Sequence, residues 1–185
     1  DSPIDGATGS TYTLTQADVG SQISVTASYT DDEGAAESVT SDPTAPVANV
    51  NDAPSGAVAI NGIATEDEVL IASNNLADED GLGAITYQWK HSGFGINGAT
   101  GSSYTLTQFD VGMVITVTAS YTDNEGTAES VASDATAPVA NVNDAPTGTV
   151  TISGTASEYE KLTASNNLAD EYGRGAIALQ WNRSG

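Results

Sequence analysis

The sequence predicts an all-β fold made of tandem antiparallel β-sandwich domains, about 92 residues in each repeat. The segment Ala-Pro-Val-Ala-Asn-Val-Asn-Asp-Ala-Pro occurs at residues 45–54 and again at residues 137–146, and the residues around the two copies recur at the same offset of 92. Short runs of alternating apolar and polar residues fill each repeat, as in half-buried strands. This length is too great for a solenoid repeat and suits a small β-sandwich.

The two copies of this segment divide the chain into one complete repeat and two partial repeats. Residues 1–50 correspond to the second half of a repeat, residues 51–142 form a complete repeat, and residues 143–185 correspond to the first half of the next. We call these parts the N-terminal half-unit, the central unit and the C-terminal half-unit. The segments 45–54 and 137–146 are called the first joint and the second joint.

Strand signals in the central unit are short and regularly spaced. The clearest is residues 115–122, where Ile115, Val117, Ala119 and Tyr121 share one face and Thr or Ser residues occupy the other. Further strands are predicted at residues 56–60, 69–73, 85–90, 103–107 and 128–131. No segment shows sustained helical periodicity, and at most a short helical turn fits residues 107–111.

The composition narrows the classes of function. The chain has four Lys and Arg residues and 25 Asp and Glu residues, which gives a net charge of -21. Such a chain does not attract nucleic acid or an anionic membrane surface through its own field, but it attracts cations. No cysteine is present, which excludes disulfides and thiolate zinc sites. No apolar run approaches the roughly 20 residues that a membrane-spanning helix needs.

Catalytic residues have little support in the sequence, and we expect no enzyme. His91 is the one histidine, and because Arg183 is its counterpart in the next repeat, we interpret it as a solvent-facing strand end. Carboxylate pairs lie in turn sequences, so glycoside hydrolysis is a minor alternative. Trp89 and Trp181 could stack on sugars, but their position in the strand pattern favours a place in the core.

The segments 87–90 and 104–117 resemble a bacterial immunoglobulin-like domain. In that family a Trp on the third strand packs in the core, and a Tyr-x-Leu strand precedes an Asp-x-Gly turn. The matching residues are Trp89, Tyr104, Leu106, Asp110 and Gly112. The resemblance implies an Ig-like sandwich of the Greek-key type. The family's cysteines are missing, and Val114 stands where the family usually has a Tyr.

The second joint contains Asn-Val-Asn-Asp-Ala-Pro, which is similar to the cadherin linker Asp-x-Asn-Asp-Asn-x-Pro that holds calcium between successive domains. Asn141 replaces the first Asp of that pattern and Ala145 replaces its last Asn. Tandem repeats of this kind also resemble those of very large bacterial surface proteins and repeats-in-toxin-type adhesins. This resemblance implies a secreted protein at the cell surface.

Calcium is the cofactor that the acidic loops favour, since it takes about 6–8 oxygen ligands. The topology of a sandwich directs its end loops toward the joints, and these loops are rich in Asp, Glu and Asn. Candidate ligands near the first joint are Asn49, Asn51, Asp52, Asp78, Glu79, Asp123 and Glu125. Candidates near the second joint are Glu66, Glu68, Asp110, Asn141, Asn143, Asp144 and Asp170. Glu79 and Asp80 have the least support, because Tyr172 is the counterpart of Asp80 in the next repeat. The alternative is that these are ordinary solvated turns.

Three functions remain open. The repeats could be structural spacers in a long extracellular adhesin or cell-surface protein. They could instead form a binding module for a surface polysaccharide or an adhesin partner. Finally, because residues 1–50 and 143–185 together make one whole sandwich, two chains could complete each other and form a filament by strand complementation. The alternative to complementation is that the chain is a window of a longer array. The expected partners are neighbouring repeats of the same chain or copies of itself.

Overall fold

The structure, a computed structural model, describes residues 2–171 and 173–185. It is an all-β fold, as predicted, and its sheets are antiparallel. The strands are β1 (Thr26–Thr30), β2 (Ala36–Thr40), β3 (Val58–Asn61), β4 (Val69–Asn74), β5 (Thr86–His91), β6 (Phe94–Gly95), β7 (Ser103–Thr105), β8 (Ile115–Thr122), β9 (Ala128–Ala132), β10 (Val150–Ser153) and β11 (Thr163–Asn166). Single 3-10 turns lie at Gln16–Asp18 and Gln108–Asp110. Across the described residues, no helix has the length and apolar character needed to cross a membrane.

The central unit contains two sheets. One has three strands in the order β3-β4-β7, and the other has four in the order β6-β5-β8-β9. Leu70 on β4 lies opposite Tyr104 on β7, and Trp89 on β5 lies opposite Val117 on β8. Each sheet therefore joins strands from the first half of the repeat to strands from its second half.

Buried side chains from both sheets form one hydrophobic cluster. The alternation predicted for residues 115–122 is confirmed, because Ile115, Val117, Ala119 and Tyr121 are all buried on one face of β8. Trp89 is also in the core, as predicted. Its indole N–H donates to the carbonyl oxygen of Gly101 at 2.9 Å, which satisfies the only polar group of the ring. Burying each large side chain contributes about 1.5–3 kcal/mol of transfer free energy.

The two half-units repeat the local elements of the central unit. The hairpin β1–β2 pairs Ala27 with Val39, as β8–β9 pairs Ala119 with Val131. The hairpin β10–β11 reproduces the pairing of β3 with β4 at the same offset. The half-units thus keep the backbone geometry that their sequences share with the central unit.

The half-units differ from the central unit in the exposure of their apolar residues. Val25 is 68% exposed whereas its counterpart Val117 is 0% exposed, and Leu14 is 51% exposed whereas Leu106 is 1% exposed. Trp181, which we expected in the core, is 49% exposed. The reason is that the strands that cover the equivalent face in the central unit belong to the other half of a repeat.

Candidate functional site

The first joint brings three parts of the chain together on one buried carboxylate. Asp80, which is 3% exposed, lies in the loop between β4 and β5. Its Oδ2 accepts the backbone N–H of Asp52 at 2.7 Å, and its Oδ1 accepts the side-chain amide of Gln16 at 2.9 Å. Gln16 belongs to the 3-10 turn of the N-terminal half-unit. One side chain of the central unit therefore contacts both the joint and the preceding half-unit.

A turn at Asp78 positions Asp80. The N–H of Asp80 donates to Oδ1 of Asp78 at 2.9 Å, a local bond typical of Asp in turns. Oδ2 of Asp78 accepts the hydroxyl of Tyr121, which comes from the end of β8. Burial, followed by the hydrogen bond to Asp78 and the charges of Asp78, Glu129 and Asp123, raises the pKa of Tyr121. The Tyr121 hydroxyl is thereby kept as a proton donor to the loop.

The loop after β8 packs closely against the Asp78–Asp80 turn. The N–H of Asn124 donates to the carbonyl of Asp80 at 3.2 Å. Gly81 has φ +94, a backbone conformation that favours glycine, and a Cβ there would also displace the Asn124 side chain, whose Nδ2 would lie 2.1 Å away. Oδ1 of Asp123 accepts the N–H groups of Glu125 and Thr127, whereas its Oδ2 is buried without a hydrogen-bond partner.

The remaining candidate ligands of the first joint lie outside the hydrogen bonds that link Asp52, Asp78 and Asp80. Nδ2 of Asn51 donates to Oε1 of Glu129 at 2.9 Å, which ties the joint to the start of β9. Oδ1 of Asn49 is buried and has no hydrogen-bond partner. Glu79 and Glu125 are exposed. The structure thus collects Asp52, Asp78 and Asp80 in one hydrogen-bonded group and leaves these two glutamates at the surface.

The second joint is fastened through a different carboxylate. Glu66, which is 4% exposed, lies between β3 and β4, and its Oε2 accepts the N–H of Val142 at 3.1 Å. Glu68, Asn141 and Asn143 are exposed, and Asp144 and Asp170 are half-buried. Tyr172, the counterpart of Asp80, lies outside the described residues. Glu66 therefore anchors the segment that leaves the central unit.

Asp110 is engaged in a network inside the central unit. Its Oδ2 accepts the Tyr104 hydroxyl at 2.7 Å, the Thr107 N–H at 2.9 Å and the Thr107 hydroxyl at 2.9 Å. Its Oδ1 lies 3.2 Å from Nδ1 of His91. Thr107 and Asp110 form a reciprocal cap on the 3-10 turn. These four contacts occupy both oxygens of the carboxylate and give it a structural role.

The pKa values within this network follow from its hydrogen bonds. Burial opposes ionisation of Asp110, but the bonds from Tyr104, Thr107 and His91 outweigh burial and hold its pKa below the ordinary value. Burial and the bond to Asp110 raise the pKa of Tyr104 to about 12. His91, which we expected to face solvent, has a side chain that is only 29% exposed, because it packs beside Asp110.

Asp18 repeats this network in the N-terminal half-unit without a histidine. Its Oδ2 accepts the Tyr12 hydroxyl, the Thr15 N–H and the Thr15 hydroxyl. The Thr15 N–H and the Tyr12 hydroxyl lower the pKa of Asp18. The pattern Tyr-x-x-Thr-x-x-Asp is therefore a local signature of this turn, and its Thr-x-x-Asp spacing is the signal that identifies the Asp as a cap.

The side chains at the joints carry oxygen atoms, the ligand type that a hard cation such as calcium prefers. Their carboxylates, however, do not surround one common point. Within residues 2–171 and 173–185, no three side chains of Asp, Glu, His or Cys are grouped so that they could hold a metal ion. Oδ2 of Asp123 is buried without a hydrogen-bond partner, and a carboxylate oxygen is a type of ligand that calcium accepts. Asp110 would not take part in binding such an ion.

No protein-family model, curated protein or solved structure shows a significant match to this chain.

Proposed function

We propose that this chain is a run of spacer repeats from a long extracellular bacterial adhesin or cell-surface protein, with Ig-like sandwich units of about 92 residues. The observation that carries the proposal is the convergence on Asp80 of the joint, through Asp52, and of the preceding half-unit, through Gln16. A spacer must transmit orientation from one unit to the next. A buried carboxylate with contacts to both sides of a joint restricts bending between them.

The prolines of the joints support the same role. Each joint carries a Pro near its start and a Pro at its end, at Pro46 and Pro54 in the first. Proline fixes φ near −65°, so it reduces the number of directions that a connecting segment can adopt. Together with the Asp80 contacts, this favours an extended and semi-rigid array over a flexible string of units.

The surface of the central unit favours a spacer over a binding module. Its most exposed aromatic residues are Phe94 and Phe109, and their counterparts in the preceding half-unit are Ser2 and Ala17. An open depression of about 410 Å³ is lined mainly by small or polar residues such as Thr86 and Ser120. A recognition surface that served every repeat would repeat its aromatic residues, and these two do not recur in the preceding half-unit.

Calcium bound at the joints is the second element of the proposal. The net charge of -21 attracts divalent cations and makes the protein repel itself in their absence. Oδ2 of Asp80 accepts the backbone N–H of Asp52 in the first joint, Oδ1 of Asp78 accepts the N–H of Asp80, and Oδ2 of Asp123 is a buried acceptor without a donor. A cation there would satisfy this oxygen and neutralise the like charges around it. The second joint has one carboxylate fewer for a cation, because Tyr172 replaces Asp80 in the next repeat.

Calorimetry tests calcium binding at the joints directly. We expect titration of the chelator-treated chain to release or absorb heat with saturation, and calcium to raise the melting temperature, because a ligand that binds only the folded state stabilises it. Asp123→Asn should weaken binding by at least about tenfold, as expected from losing a charged ligand. Asp134→Asn, an exposed acid between β9 and the second joint, should leave binding unchanged. An identical melting temperature in calcium and in chelator would contradict calcium binding.

A further inference from the structure

The turn between β6 and β7 carries an exposed Asn-Gly pair, Asn97-Gly98. The N–H of Ala99 donates to the carbonyl of Ile96 at 3.1 Å and closes the turn, and Gly98 has φ +77. A Cβ added at Gly98 would meet no atom within 4 Å. Among the residues that the structure describes, neither the Asn97 side chain nor the Gly98 N–H has a hydrogen-bond partner. Both groups are therefore exposed and unrestrained.

An asparagine that precedes glycine can react with its own backbone, because glycine has no side chain to shield its nitrogen. The nitrogen of Gly98 loses its proton and bonds to Cγ of Asn97, and the side-chain amide leaves as ammonia. Water then opens the resulting succinimide ring at one of its two carbonyl carbons. One opening gives aspartate, and the other gives isoaspartate, whose main chain is one carbon longer.

A second Asn-Gly pair in the same unit, Asn61-Gly62, is held much more firmly. Asn61 is the last residue of β3, where it pairs with Ile71, and its Nδ2 donates to Oγ of Ser73 at 2.9 Å. A Cβ at Gly62 would lie 2.7 Å from the carbonyl oxygen of Val69, so this backbone packs directly against β4. Ring closure at Asn61 consequently requires local opening of the β3–β4 pair, which costs free energy.

The preceding repeat shows that an aspartate fits the exposed turn. Asp5-Gly6 corresponds to Asn97-Gly98 at the offset of 92. Its turn is closed in the same way, by the N–H of Ala7 on the carbonyl of Ile4 at 3.2 Å, and Gly6 has φ +72. Conversion of Asn97 to aspartate should therefore leave the fold of the turn unchanged.

The isoaspartyl product fits less well, because the turn is fastened on both sides to Trp89. The N–H of Ile96 donates to the carbonyl of Trp89 at 2.9 Å, and the N–H of Trp89 donates to the carbonyl of Ala99 at 3.0 Å. Asn97 and Gly98 are the two residues between these contacts. An extra main-chain carbon there must displace at least one of the two hydrogen bonds, and Trp89 is 0% exposed in the core.

We propose that Asn97 is a site of spontaneous deamidation and isomerisation, and that its isoaspartyl product loosens the backbone contacts that hold Trp89. The reaction needs only water, and it accelerates with rising pH because the attacking nitrogen must lose its proton. Each event adds one negative charge to the central unit. This inference requires neither the spacer function nor calcium, and its test can be run in chelator.

Incubation of the whole folded chain at mildly alkaline pH tests the site. We expect peptide mass analysis to find residue 97 converted to aspartate and isoaspartate at least about tenfold faster than residue 61, because only Asn61 must wait for strands to open. Denaturant should bring the two rates together. Asn97→Gln, whose longer side chain closes a ring far more slowly, should keep its amide. An intact residue 97, or equal rates at the two sites in the folded chain, would overturn the proposal.

The effect on Trp89 is measured in a Trp181→Phe background. The acidic fraction of the aged chain is isolated by ion exchange, and peptide analysis gives its isoaspartyl share. We expect an equal share of this fraction to unfold at lower denaturant concentration, with Trp89 emission shifted to longer wavelength. Asn97→Asp is the matched control and should unfold like wild type, and aged Asn97→Gln gives the contribution of every other site. An isoaspartyl fraction that unfolds like Asn97→Asp would contradict the loosening.

Discussion

Leu106→Ala should lower the free energy of unfolding of the central unit by about 3.5 kcal/mol, whereas Leu14→Ala should leave that transition unchanged. The two residues occupy the same place in identical Tyr-Thr-Leu-Thr sequences. Leu106 is 1% exposed within the core cluster, so its truncation leaves a cavity. Leu14 lies on the exposed face of a half-unit, so its truncation leaves none.

Urea unfolding measured by tryptophan fluorescence checks this result. The comparison is made in a Trp181→Phe background, so that Trp89 reports on the central unit alone. Equal destabilisation by the two substitutions would mean that the half-units and the central unit share one core, contrary to the arrangement described above.

Asp110→Ala should destabilise the central unit by about 3 kcal/mol, since it leaves the donors of Tyr104 and Thr107 without their acceptor in a buried site. Asp18→Ala removes the equivalent acceptor in the N-terminal half-unit and is the matched control. It should not shift the transition of the central unit. If Asp110→Ala were as stable as wild type, the network would contribute no net stability.

The pH dependence of stability gives the same network a second readout. Because the pKa of folded Asp110 lies below the value of 3.8 for a free Asp, its contribution is present above about pH 4 and is lost as pH falls through the lowered folded pKa. Asp110→Asn should therefore approach wild type in stability as pH falls below about 4. Denaturant unfolding at several values between neutral and acidic pH would measure the change. If the free energies of unfolding of wild type and Asp110→Asn differed by the same amount at every pH, ionised Asp110 would be excluded as the source of the stabilisation.

The strand pattern and the core could be read from the sequence because they depend on local alternation. Residues 115–122 form β8 with the predicted buried face, and the short turn expected at residues 107–111 appears at Gln108–Asp110. The pairing of β5 with β8 buries Trp89 where the strand pattern placed it. Trp181 shows the limit of such reasoning. Its local sequence is nearly that of Trp89, but its burial depends on a partner strand that no local pattern specifies.

The roles of individual carboxylates were harder to predict, since Asp in a turn serves equally as a metal ligand, a cap or a solvated charge. Asp110 was a candidate ligand, and its capping role was visible only in the spacing Thr107-x-x-Asp110. Asp80 had less support because of Tyr172, yet it makes the contacts that join the first joint to the preceding half-unit. Those contacts span 28 and 64 residues of sequence and arise from tertiary packing.

The most direct test of a cation-stiffened joint is the distribution of distances across it. The chain has no cysteine, so dyes can be attached at Ser38→Cys and Ser130→Cys, exposed positions that correspond in consecutive units. In single-molecule measurements we expect calcium to narrow the distribution of energy transfer and chelator to broaden it. Asp80→Asn should remain broad in calcium. Distributions of equal width in calcium, in chelator and in the Asp80→Asn variant would contradict a joint stiffened by calcium.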